Sequence, residues 1–116
     1  MTALEQKHCV PCEGGTPPVS GDQLDRMMSE VPGWQVLNGK LTRNVKVKNF
    51  KEALRLVNRV GEIAEQENHH PDLQIHGWNQ VKIELSTHAI GGLSENDFIL
   101  AAKITELINQ PGAGSA

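Results

Sequence analysis

Apolar residues change their spacing twice along this 116-residue chain. Residues 34–47 and 73–85 carry them at alternate positions, and residues 50–68 between them carry them every third or fourth position. Alternation puts a strand's apolar side chains on one face, and the longer repeat puts a helix's on one stripe. A chain with two such strand pairs and a helix between them must stack sheet and helix to bury both.

The first pair reads Trp34 and Val36, then Asn38-Gly39, then Leu41, Val45 and Val47. Asn-Gly between alternating residues is the strongest short signal for a hairpin, because both turn positions need a positive φ. Arg43 interrupts the apolar register and is expected at the sheet margin. In the second pair Leu73 and Ile75 precede a turn at Gly77, Trp78 and Asn79, and Val81, Ile83 and Leu85 follow it.

Three segments have helical spacing. Ser20 and Gln23 form a capping-box pattern ahead of Leu24, Met27, Met28 and Val31, and Pro32-Gly33 stops that helix. In residues 50–68 the main stripe is Phe50, Leu54, Val57, Gly61 and Ala64, flanked by Leu56, Val60 and Ile63. So wide a face predicts contact with both the sheet and a second copy of the chain. Pro71 ends this helix, which leaves His69 and His70 at its exit. Ser94 caps a last helix that runs to about Asn109, with Asp97 in its first turn favouring the dipole. The predicted order is α-ββ-α-ββ-α, an α+β two-layer sandwich whose four-stranded antiparallel sheet carries helices on one face. The predicted domain spans residues 20–110, with a flexible, Pro- and Gly-rich tail at 1–19 and a short tail at 111–116.

Composition removes several function classes. The net charge is -3, and Arg43, Lys46, Lys48 and Lys51 read as a solvated strand and helix start, so nucleic-acid binding is disfavoured. No apolar run reaches the roughly 18 residues of a membrane span. Residues 1–10 lack both the basic and the apolar regions of a secretory signal, so a cytoplasmic location is expected.

The residues able to carry chemistry gather at Glu65, Asn68, His69, His70 and Pro71, and again at Ser86, Thr87, His88 and Ala89. Glu65 and His69 are four apart, so the carboxylate is expected to reach that imidazole. A helix C-terminus carries partial negative charge and favours a protonated histidine. Histidine near neutral pH serves as general acid or base. Adjacent histidines before a proline are, in isolation, an ordinary polar helix end. The whole pattern carries the argument.

That pattern runs through Glu65, His69-His70-Pro71, Trp78, Leu85-Ser86-Thr87-His88, Gly92-Leu93-Ser94-Glu95 and Asp97, with Gly33-Trp34 and Phe50 upstream. It resembles the signature of the pterin-4a-carbinolamine dehydratase family over about residues 20–109. The resemblance implies dehydration of 4a-hydroxytetrahydropterin to the quinonoid dihydropterin, which recycles the cofactor of aromatic amino acid hydroxylases. It implies His69, His70 and His88 as catalytic residues. Asn68, Ser86, Thr87 and Ala89 match positions around the pterin, and Glu65 and Trp34 match supporting positions. It implies no metal and no organic cofactor, a homodimer or homotetramer, and a functional link to a hydroxylase. Asp97 belongs to the signature, but its place at a helix start suits capping better than catalysis. His69 or His70 is expected as the acid at the 4a-hydroxyl and His88 as the base, with the order within the pair left open. Leu73 and Ala89 depart from positions that are aromatic in many relatives and acidic in vertebrate ones.

Two rival readings remain. His8, Cys9 and Cys12, with the imidazoles of His69, His70, His76 and His88, offer metal ligands, although one Cys-x2-Cys is only half a zinc site. A non-enzymatic interaction protein would use the wide helix face, and fold alone does not decide between the two.

Overall fold

A computed structural model of the chain describes residues 4–9 and 17–109. After a 3-10 turn at Leu4–Gln6 come α1 (Gly21–Ser29), β1 (Gln35–Leu37), β2 (Lys40–Lys46), α2 (Phe50–Glu67), β3 (Asp72–His76) and β4 (Gln80–Leu85). A second 3-10 turn at His88–Ile90 precedes α3 (Glu95–Asn109). The strands pair antiparallel in the order β1-β2-β4-β3. The predicted sandwich and element order are therefore the observed ones.

Register follows from the hairpin turns. Asn38 and Gly39 both have positive φ, +53° and +75°, and set Leu37 opposite Lys40. Gly77 and Trp78 do the same between His76 and Gln80, at +57° and +59°. On β4 the inward residues Val81, Ile83 and Leu85 are fully buried, while Lys82 and Glu84 face outward. Leu41 and Val45 of β2 pair with Leu85 and Val81 and share their face. Phe98, Leu100, Ala101 and Ile104 of α3 and Ala53, Leu56 and Val60 of α2 complete the core.

Four expectations are corrected by the packing. Arg43 does not sit at a free margin. It pairs across the sheet with Ile83, and its guanidinium donates to Thr105 Oγ1 at 3.4 Å. Burial lowers its pKa. Gly33 is needed beside it, because a Cβ there would lie 3.3 Å from the Arg43 guanidinium carbon, and φ is +92°. Ser20 stands at the N-cap of α1 with extended backbone, yet its side chain makes no capping bond.

On α2 Leu56 and Val60 of the flanking stripe face the core, joined by Ala64 of the main one. Ala53, Leu56, Val60, Ala64 and Glu67 are buried, whereas Phe50 and Leu54 are 50% and 45% exposed. Asn49 caps this helix by accepting from the Glu52 amide at 2.9 Å.

The leader is the fourth. Residues 4–9 pack against α3, and Leu4 is buried within the core. Full burial of a leucine contributes about 1.5–3 kcal/mol, and the segment is held further by Lys7 on Glu95 and the Cys9 amide on Glu67. Cys12 lies outside the described residues.

Candidate active site

The exit of α2 is made by a left-handed residue. Asn68 has φ +51° and ψ +41°, and its amide donates back to Ala64 O. Asparagine tolerates this conformation better than most residues. The helix thus stops at Glu67, and the chain turns sharply before His69 and His70.

That turn decides which carboxylate meets which imidazole. Glu65 reaches Nε2 of His70, five residues on, and not His69 as helical spacing predicts. Four-residue spacing applies only while the helix continues. His69 is carried inward instead, its side chain 13% exposed, and its Nε2 lies 2.6 Å from Oδ1 of the wholly buried Asp97.

Asp97 is saturated on its other side. Its Oδ2 accepts from the Thr87 hydroxyl at 2.8 Å and from the Ser94 amide at 2.9 Å. The Thr87 and Ser94 hydroxyls also bond each other, at 2.7 Å. Capping was expected of Asp97, and the Ser94 contact is that cap. The His69 contact is the part that sequence reasoning missed. A carboxylate only accepts, so Nε2 of His69 donates to Asp97.

The second histidine segment attaches to the same carboxylate. Thr87 is buried and paired with Gly92 through N–H···O bonds of 2.9 and 3.4 Å. This bridge ends β4 at Leu85, so His88 does not continue the strand but opens a 3-10 turn. The inward–outward alternation nevertheless persists, with Thr87 in and His88 exposed. A chain of contacts, His69–Asp97–Thr87, therefore ends one peptide bond from His88.

The other expected residues fall at differing depths. Ser86 is half-buried between Leu85 and Thr87, Ala89 is exposed in the 3-10 turn, and Asn68 is exposed at the helix cap. Trp34 is buried in the core, its indole N–H donating to Thr105 Oγ1 at 2.8 Å.

Glu67 was overlooked. Its side chain is 5% exposed and accepts the Cys9 amide at 2.7 Å. His8 Nδ1 lies 2.9 Å from its Oε2, and Lys103 Nζ lies 3.8 Å away. Burial raises its pKa, but the Cys9 amide, His8 and Lys103 together outweigh burial and hold the carboxyl below its ordinary value. The spacing Val60, Ala64, Glu67 carries the buried stripe onto a carboxylate, and that was the available signal. Among the described residues, no three His, Cys, Asp or Glu side chains converge as a metal site. No helix there is long and apolar enough to cross a membrane.

Comparison with known proteins gives a consistent result. The sequence model of the family described as pterin 4 alpha carbinolamine dehydratase matches residues 17–107. A relative from Rubrobacter xylanophilus, which carries that dehydratase name provisionally, is 49% identical over 92% of this chain and 100% of its own length. The Arabidopsis thaliana protein named pterin-4-alpha-carbinolamine dehydratase 2, mitochondrial, is 50% identical over 92% of this chain and 60% of its own. The crystal structure of a transcriptional coactivator/pterin dehydratase from Brucella melitensis superposes with a TM-score of 0.70. It is 27% identical and covers 77% of this chain and 96% of that one.

Proposed function

The chain belongs to the pterin-4a-carbinolamine dehydratase family and is an enzyme of that kind; from that premise we propose how its residues carry out the dehydration. The substrate is a 4a-hydroxytetrahydropterin. A proton is delivered to the hydroxyl on C4a, the C4a–O bond breaks and water leaves. The N5 proton goes to a base, and the product is the quinonoid dihydropterin.

His69, His70 and His88 are the proton-handling groups. His70 sits at the surface with Glu65 on its Nε2, so the carboxylate balances the charge of a protonated ring. That arrangement suits the acid at the leaving hydroxyl. His88 is exposed on the neighbouring turn and serves as the base. His69 is oriented by Asp97. Asn68, Ser86, Thr87 and Ala89 supply the surrounding walls. Each general acid or base is worth about 10²–10⁴ in rate. No metal or organic cofactor is required, since imidazoles perform both proton transfers.

The observation that carries this reading is the run of contacts from His69 through Asp97 and Thr87 to His88, which ties two histidine segments 19 positions apart in sequence to one buried carboxylate. In this reading the enzyme works in the cytoplasm beside an aromatic amino acid hydroxylase and returns its pterin cofactor to use. It self-associates through the exposed Phe50 and Leu54 of α2 as a dimer or a dimer of dimers. The test is direct dehydration of a 4a-hydroxytetrahydropterin by the His70→Ala and His88→Ala variants. Both should fall toward the uncatalysed rate, and wild-type turnover in either removes that histidine from the mechanism.

A further inference from the structure

The two described stretches of the leader close on the two segments that bear the histidines. At one end Leu4 is sunk in the core, and the Cys9 amide and the His8 ring both engage Glu67. Glu67 is the last residue of α2, two positions before His69. At the other end the Val19 amide donates to Leu93 O at 2.8 Å. The Pro18 ring lies so close to Gly92 that a Cβ there would meet it at 2.9 Å. Gly92 is the bridge partner of Thr87, the neighbour of His88.

Stability alone does not account for Glu67. A buried carboxylate is often matched or bettered by an apolar residue of similar size, because desolvation offsets much of the attraction. What an apolar residue lacks is direction. Two oxygens aimed at an amide and a ring fix the position of the α2 exit relative to the leader, as packing by methyl groups does not.

We propose that Glu67 is a positioning residue: residues 4–9, anchored on it, brace the α2 exit that bears His69, and Pro18 and Val19, seated on the Gly92–Leu93 backbone, brace the turn that bears His88. The consequence for turnover rests on the dehydratase reading above, whereas the brace itself is a statement about geometry. It gives the leader a task that its composition does not suggest.

The experiment uses the full chain and two readouts, histidine-ring NMR without substrate and steady-state dehydration. In Glu67→Ala the ring signals of His69 move, and kcat falls about tenfold or more while KM stays within about twofold, as expected for misplaced catalytic groups. Glu67→Gln, which still accepts the Cys9 amide, recovers most of both. Should Glu67→Ala fail to fold, Gly92→Ala disturbs the second anchor by driving Pro18 away, and Pro18→Gly in that background restores ring signals and rate. The brace is overturned if the His69 and His88 rings keep their wild-type signals while the Cys9 amide exchanges freely with solvent, or if Gly92→Ala changes neither readout. Because the rings are read without substrate, moving rings in a protein with no turnover support the brace and contradict only the activity. Turnover with unmoved rings contradicts only the brace.

Discussion

Asp97 holds His69 with one carboxylate oxygen and the start of its own helix with the other. Oδ1 lies 2.6 Å from His69 Nε2, and Oδ2 takes the Ser94 amide and the Thr87 hydroxyl. A helix cap and a site support are thus the same group, so one substitution there should disturb both stability and rate.

Asp97→Asn is the sharper form of that test. An amide offers an acceptor on one side only, so it leaves a donor facing either the His69 ring or the Ser94 and Thr87 donors. Stability should fall by about 1–3 kcal/mol, read as a drop in Tm of about 4–8 °C per kcal/mol. Turnover should fall on the order of 10²-fold or more. A lowered Tm with unchanged kcat would reduce Asp97 to a cap.

His70→Ala should separate the two effects in the opposite sense. His70 is exposed and its partner Glu65 more so, and exposed pairs contribute only about 0–1 kcal/mol. The variant should keep its Tm within a few degrees and lose about 10²–10⁴-fold in kcat. Thermal melting followed by CD, alongside the dehydration assay, checks both halves.

Glu67 sets an acid limit on the leader. Its folded pKa lies below its ordinary value of 4.5, so the unfolded chain binds the proton first. The stabilisation is therefore fully present above about pH 4.5 and is lost as pH falls through the lower folded value. Denaturant titrations at stepped pH should show the gap between wild type and Glu67→Gln closing below pH 4.5. A gap that stays constant through that range contradicts the linkage.

The exposed stripe of α2 makes a prediction about assembly. Replacing Phe50 and Leu54 together by Asp should dissociate the protein to monomers while leaving the core stripe of Ala53, Leu56 and Val60 in place. Light scattering at micromolar concentration reads this directly. A wild-type protein already monomeric there removes the assembly proposal.

Much of this molecule could be read from its sequence, and the failures share a cause. Both hairpins, all three helices and the layer order followed from periodicity and from Asn38-Gly39, because those signals are local. Which α2 stripe would be core was not local. Both stripes are apolar, and only the sheet beneath them favours Leu56 and Val60 over Phe50 and Leu54. The pairing of Glu65 with His69 assumed a helix that in fact ends at Asn68, whose left-handed backbone no spacing rule foresees. The link from Asp97 to His69 joins positions 28 residues apart, and the docking of Cys9 on Glu67 joins positions 58 apart. Contacts at that range are set by tertiary packing, so Asp97, His69 and Cys9 could be named but not matched, and Glu67 was not singled out at all.

The most direct test of the whole account is to add this protein, in catalytic amount, to a running aromatic amino acid hydroxylase reaction and follow the 4a-hydroxypterin intermediate by its absorbance. The account predicts that the intermediate decays faster in proportion to added protein, and that protein lacking His70 gives little of this effect. Decay at the spontaneous rate, whatever the amount of folded wild-type protein, would contradict it.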